Sequence, residues 1–160
     1  MTASVLPFDA NRRRRDSWAR PTTPARNAHP TEPPRLLRQF VVLVVEDHDD
    51  TRAMLGQMLE ALGARVILAR DAMAARVVLS QERPHVILLD LLLPGMDGLT
   101  FSRLIQQDPH LADIPIVAVT ALAQLGDYIQ TWTHGFAAHL AKPVEDEMLT
   151  DAILLVTGRA

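Results

Sequence analysis

Residues 40–69 read FVVLVVEDHDDTRAMLGQMLEALGARVILA: an apolar run, a knot of acids, an amphipathic stretch and a second apolar run. Phe40 to Val45 lacks polar alternation, as expected of a strand buried on both sheet faces. From about Asp50 to Leu62 the side chains of Met54, Leu55, Met58, Leu59 and Leu62 recur at helical spacing. Asp49 or Asp50 is the expected N-cap, and Gly63 stands where a left-handed residue closes a helix. Arg65 to Ala69 is strand again. Short apolar runs alternating with amphipathic segments predict an α/β fold, a parallel sheet covered by helices.

Outward from this unit the alternation continues. Further strands are expected at His85 to Leu89, Ile114 to Val119 and Ala137 to Ala141. A second helix opens after the N-cap Asp71 and ends near Gln81, before Pro84 forces extended chain. A third follows Asp97 and Gly98 and stops before Pro109, with Asp97 read as turn chemistry. A fourth lies somewhere within Ala123 to His134, weakened by Gly126, Thr131 and Thr133 and ended by Gly135. The last covers roughly Glu145 to Val156, with Met148, Leu149, Ala152, Ile153 and Val156 on one face and acids in its first turn.

The 160 residues suffice for one domain of ordinary size with a tail. Residues 1–38 hold eight Arg against three acids, a net of +5, whereas residues 39–160 hold eight basic and sixteen acidic side chains, a net of −8. The first stretch also has six of the eleven prolines and no apolar period, so it reads as a disordered Arg/Pro-rich arm ahead of a domain at 39–160. Arg12 to Arg15 are read as a solvated run, with nucleic-acid contact as the lesser alternative. The absence of cysteine excludes disulfides, thiol catalysis and sulfur-ligated zinc, and fits a cytoplasmic protein. No secretory signal is seen, and the longest apolar run, Val86 to Leu93, is interrupted by Asp90 and far too short to span a bilayer.

In an open α/β sheet, ligands bind beyond the carboxyl ends of the strands, where strand order reverses. Those ends carry Glu46 and Asp47, Asp90, Thr120 and Lys142. Carboxylates converging there repel by about 4 kcal/mol per pair at about 4 Å and an effective dielectric near 20. An oxygen-only donor set suits Mg²⁺, and Lys142 supplies the remaining positive charge. Three carboxylates, one Mg²⁺ and one ammonium sum to zero, and conversion of Asp90 to a phosphoaspartate would add about one negative charge. Asp90, set between Leu88-Leu89 and Leu91-Leu92-Leu93, is too costly to bury for a purely structural role.

The stretch from about Gln39 to Val156 resembles the receiver domain of two-component response regulators. The resemblance rests on Val41-Val42-Leu43-Val44-Val45-Glu46-Asp47, on Val86-Ile87-Leu88-Leu89-Asp90 with Leu93-Pro94-Gly95-Met96-Asp97-Gly98, on Val119-Thr120-Ala121, and on Ala141-Lys142-Pro143. It implies a doubly wound, flavodoxin-like five-stranded sheet of order 2-1-3-4-5 with helices on both faces. It further implies Asp90 as phosphoacceptor from a histidine kinase or histidine phosphotransfer protein. Glu46, Asp47, Asp90 and the Leu92 carbonyl would hold Mg²⁺, Thr120 and Lys142 would bind the phosphoryl oxygens, and Lys142-Pro143 would be cis. Such a domain is no enzyme beyond its own phosphorylation and dephosphorylation.

Two positions depart from the commonest pattern of that family. Glu46 replaces a frequent Asp, and His139 stands where Tyr or Phe often serves as a rotameric switch paired with the Thr120 hydroxyl. With a free pKa near 6.5, His139 is expected to make that switch sensitive to pH. A haloacid-dehalogenase type of hydrolase also uses an Asp nucleophile with Mg²⁺ but needs a second acid two residues on, where this chain has Leu92. With the sequence ending at Ala160, no DNA-binding or other output module is expected. Output is then by contact with a downstream protein, or by homodimerisation, through the last two helices, to which Leu154 and Leu155 add apolar surface. A receiver-like interaction module or a phosphate sink is the alternative.

Overall fold

β-Branched and leucine-rich runs extend wherever both sheet faces can be covered, and here they build five strands that pair in parallel throughout. The computed structural model describes residues 35–121 and 135–159. In chain order the elements are β1 (Val41–Val45), α1 (Asp49–Ala61), β2 (Arg65–Ala69), α2 (Ala72–Gln81), β3 (Val86–Asp90), α3 (Gly98–Gln107), β4 (Ile116–Ala121), β5 (Ala138–Lys142) and α4 (Asp146–Val156). The sheet order is β2-β1-β3-β4-β5, so the chain winds outward from β1 in one direction and then, from β3, in the other. The doubly wound expectation is met. The helix expected within 123–134 and residues 1–34 of the arm lie outside the described residues. Among those described, no helix is long and apolar enough to cross a membrane.

Period-two alternation divides the core into two layers. Val42 and Val44, Val86 and Leu88, Val117 and Val119, and Leu140 pack with Leu55 and Leu59 of α1 and Leu149 and Ile153 of α4. The intervening residues Leu43, Val45, Ile87, Leu89, Ile116 and Ala118 pack with Ala72 and Ala75 of α2 and Phe101 and Ile105 of α3. The strands of the sheet's middle, β3 and β4, are therefore buried at almost every position, while the edge strand β2 is largely open.

Several expected boundaries move, each for a local reason. The arm does not extend to residue 38: Leu37 is fully buried in the α1 layer, and its N–H donates to the Leu62 carbonyl at 3.0 Å. The domain thus begins by Arg35. Strand β4 starts two residues later than expected because Asp108 to Ile114 coils into successive turns, with the Ile114 N–H donating to Leu111. Strand β3 runs one residue further, to include Asp90 opposite Val119. The N-cap of α1 is His48, which makes no side-chain cap, and Asp49 and Asp50 instead sit in the first turn near the positive end of the helix dipole. Met54, counted in the buried stripe, is 44% exposed. Leu154 turns inward against the core, leaving Leu155 of that pair exposed. Asp71 and Asp97 do cap α2 and α3, accepting from the N–H groups of Ala74 and Thr100 at 2.7 and 2.8 Å.

Gly98 fixes how α3 meets the end of β3. Its N–H donates to the Leu91 carbonyl at 3.0 Å, and a Cβ there would lie 2.5 Å from the Asp90 carbonyl oxygen and 2.7 Å from the Leu91 Cα. Those neighbours are backbone and cannot step aside. Gly98→Ala is expected to lower unfolding free energy by about 1–3 kcal/mol in urea denaturation. Leu37→Ala in the full chain is expected to lower it by about 2–5 kcal/mol. A loss below about 0.5 kcal/mol, the range of ordinary surface changes, would return residues 35–38 to the arm.

Candidate functional site

The same alternation that sorts the core also delivers charge to one place. Val42, Val44 and then Glu46 follow one face from β1; Val86, Leu88 and Asp90 follow it along β3; Leu140 and Lys142 follow it along β5. At the carboxyl ends these faces terminate in two acids and a lysine. β1 and β3 are the neighbours between which strand order reverses, so the acids flank the crevice where such sheets bind ligands.

Glu46 is 2% exposed and both its carboxylate oxygens are held. Oε1 accepts from the His48 N–H at 3.2 Å, and Oε2 accepts from Lys142 Nζ at 2.8 Å. Asp90, 6% exposed, is held likewise: the Leu92 N–H donates to Oδ1 at 3.0 Å and Lys142 Nζ to Oδ2 at 3.3 Å. Asp47 is exposed, and among the described residues its carboxylate has no hydrogen bond or ion pair. Yet one carboxylate oxygen from each of Glu46, Asp47 and Asp90 lies within 4.8 Å of the others. The expected acids and the lysine are brought together.

Burial pushes the Asp90 carboxyl above its ordinary pKa; the Leu92 N–H pulls the other way, the Glu46 charge adds to the rise, and Lys142 opposes it. For Lys142, burial works against the ammonium, but the Glu46 hydrogen bond and the charges of Asp90 and Glu46 outweigh it and raise its pKa. The lysine is a fixed cation at neutral pH.

Thr120 is buried near the end of β4, opposite Ala141 and so one residue from the lysine's register position. It shares its sheet face with His139, by the parity that sets Ile116 and Ala118 apart from Val117 and Val119. His139 is half-buried, with its ring tilted against Phe136 at 6.2 Å between centroids, and burial pushes its imidazole below the usual histidine value. Leu92 projects its side chain into solvent, while Leu91 and Leu93 anchor the loop in the core. The Lys142-Pro143 peptide is cis.

One residue of the site escaped the sequence reading. Arg52, in the first turn of α1, sends Nη1 to the carbonyl of Glu46 at 3.1 Å and to that of Asp47 at 3.4 Å, and Nη2 to the Asp49 carboxylate at 2.6 Å. Its partners are mostly main chain, so residue types could not have announced it.

The donor set fits Mg²⁺. It is all oxygen, it retains a charge of −2 after Lys142 is counted, and its one exposed member gives a hydrated ion a way in. Glu46, Asp47 and Asp90 are the side chains that would hold the ion.

Known proteins place this arrangement. PleD of Caulobacter vibrioides, a response regulator, is 39% identical over 108 residues, covering 68% of this chain and 24% of PleD, so the chain spans about a quarter of that relative's length. The polar-differentiation response regulator DivK of Brucella anthropi is 31% identical over 119 residues, 74% of this chain and 97% of DivK. Among solved structures, the receiver domain of the Pseudomonas aeruginosa sensor histidine kinase PA1611, which has a magnesium ion coordinated in its active-site cleft, aligns with TM-score 0.68 at 32% identity, covering 74% of this chain and 98% of that one. The chemotaxis response regulator CheY4 of Vibrio cholerae aligns with the same score at 26% identity over 73% of this chain and 98% of its own. With the response regulator receiver domain profile matching residues 42–154 as well, the chain belongs to the receiver domain family of response regulators.

Proposed function

We propose that this chain is a phosphoacceptor response regulator, in which Asp90 takes a phosphoryl group from the phosphohistidine of a histidine kinase or a histidine phosphotransfer protein. The observation that carries the reading is a nearly buried carboxylate held at 3.3 Å by a lysine ammonium, with two more acids converging on it. Such a group is expensive to keep unless its environment serves a reaction.

In the transfer, an Asp90 carboxylate oxygen attacks phosphorus; an O–P bond forms as the N–P bond of the donor breaks, and the imidazole leaves. Catalysis of this step is mostly positioning and charge stabilisation. The Leu92 N–H and Lys142 hold the carboxylate in place, and Lys142 and the Thr120 hydroxyl are the groups that would take up the new phosphoryl oxygens. Mg²⁺ bound by Glu46, Asp47, Asp90 and the Leu92 carbonyl would supply neutralisation of the phosphoryl charge. The chain catalyses only its own phosphorylation and dephosphorylation, and it works in the cytoplasm. The extra negative charge then switches contact with a downstream protein or a second copy. Leu155, 66% exposed on α4, offers apolar surface for that contact, worth about 1.5–3 kcal/mol if fully covered.

Incubation with acetyl phosphate and Mg²⁺ is expected to add one phosphoryl group to the wild type and none to Asp90→Asn, read by intact-protein mass spectrometry. Labelling of Asp90→Asn at the wild-type rate would sink the assignment. Mg²⁺ at about a hundred times its dissociation constant is expected to stabilise the fold by about 2.7 kcal/mol, and less at the same concentration in Asp47→Ala.

A pH dependence also follows. Because burial raises the Asp90 pKa, the folded state holds that proton more tightly than the unfolded chain does. Its contribution to stability is full below the ordinary aspartate pKa of about 3.9 and is lost as pH rises through the higher folded value. Without divalent cation, Asp90→Asn should therefore gain stability relative to wild type as pH is raised from about 4 to neutrality, and added Mg²⁺ should remove that advantage. Urea midpoints across this range check it, and a constant difference would show that the carboxylate carries no burial penalty.

A further inference from the structure

Both buried acids of the site are gripped by their carboxylates, but Asp47 is not. Glu46 and Asp90 each have two held oxygens, whereas the Asp47 carboxylate has no partner among the described residues. Where that carboxylate sits is therefore decided by the main chain beneath it. That main chain is a short link between β1, which ends at Val45, and α1, which starts at Asp49. The helix start gives it no help, since the N-cap His48 makes no side-chain cap.

Arg52 supplies the missing anchor. Its backbone N–H donates to the His48 carbonyl at 2.9 Å in the ordinary helical manner, and its guanidinium reaches back past it to the carbonyls of Glu46 and Asp47 and to the Asp49 carboxylate. The carbonyls of Glu46 and Asp47 and the carboxylate of Asp49 thus converge on one side chain, while the His48 carbonyl is held by the same residue's main chain. That side chain is 19% exposed, against 88% for Asp49, so the fork is sheltered where it meets the carbonyls. A planar guanidinium with several N–H donors can share one nitrogen between two carbonyls and give the other to a carboxylate; a lysine ammonium on a flexible stem has no such fixed fork.

We propose that Arg52 is a positioning residue for the metal-assisted reaction: it fixes the main chain of the acid pair so that the Asp47 carboxylate faces Glu46 and Asp90. The inference rests on the function proposed above and deepens it. Arg52 touches neither the ion nor the phosphoryl group in this account, and it acts through the carbonyls of the residues that do. Partners of metal ligands that lie one step back are commonly worth tenfold to a hundredfold in metal affinity.

The test is a Mg²⁺ titration of the full chain followed by thermal unfolding, on wild type, Arg52→Met, Arg52→Lys and Arg83→Met. Arg83 is the control because its guanidinium also braces a loop, donating to the His110 carbonyl and the Asp113 carboxylate, but away from the site. Arg52→Met is expected to raise the Mg²⁺ midpoint about tenfold to a hundredfold. Arg52→Lys is expected to fall between it and wild type, and Arg83→Met to lose stability with its midpoint unmoved. Acetyl-phosphate labelling of Arg52→Met should recover as Mg²⁺ is raised, measured at a temperature where circular dichroism shows the variant already folded before the ion is added, so that stabilisation of the fold by the ion does not account for the recovery. If Arg52→Met fails to fold, a wild-type midpoint in Arg52→Lys overturns the proposal. An unmoved Arg52→Met midpoint, or an equal shift in Arg83→Met, overturns it while the functional reading stands. A wild type with no response to Mg²⁺ overturns both.

Discussion

Lys142 holds two nearly buried carboxylates that come from different strands, and much of the architecture exists to bring those three groups to one point. A carboxylate taken out of water without a partner is strongly destabilising, and removing one partner of such a pair leaves the other stranded. Glu46 can be buried only if β5 lies in the sheet and delivers its last residue to the carboxyl edge. Asp90 depends on the same ammonium. β5 reaches the site by pairing with β4, which itself pairs with β3. The electrostatic requirement at the edge therefore depends on every hydrogen-bonded step between the central strands and the last one.

One lysine does not balance three acids, and the residual charge distinguishes a site from a buried ion pair. Glu46 and Asp90 are satisfied as they stand, so the excess falls on Asp47, the exposed member. This division of labour follows from chain position. Glu46 continues the parity of Val42 and Val44 beneath α1, whereas Asp47 lies past the end of the strand, in the link to α1, where neither layer covers it. A sheet edge built from an inward acid followed by an outward acid gives a hydrated cation one accessible ligand and one rigid ligand, which suits an ion that keeps part of its water shell.

The features legible in the sequence were those written in residue types. The unbroken apolar runs of β1, β3 and β4 announced two-sided burial, and an acid immediately after two such runs announced the site. What the sequence concealed was geometry between main-chain atoms. Arg52 answers chiefly to carbonyls, which every residue possesses; its i,i+3 pairing with Asp49 is written in residue types, but that pairing alone does not point to the site. Leu37 was assigned to a charged, proline-rich arm because composition was averaged over a window that included it, whereas a single buried side chain and one N–H to Leu62 suffice to tie it to the fold. Met54 shows the opposite error. Helical spacing gave a stripe wider than the sheet could cover, and the outermost methionine was left at the rim.

His139 is the position where residue type and environment disagree most. As a free side chain it would be partly protonated near neutrality, but burial beside Phe136 lowers its pKa, so the ring is predominantly neutral there. Protonation then costs the fold stability as pH falls below about 6.5, because the folded state resists a proton the unfolded chain accepts. On the proposed function, the neutral ring shares a sheet face with Thr120 and serves as a tilted, half-buried plate rather than as a charge. Its sensitivity to pH is displaced to acid conditions, and under the proposed function the charge that would drive switching at neutral pH is the one added at Asp90.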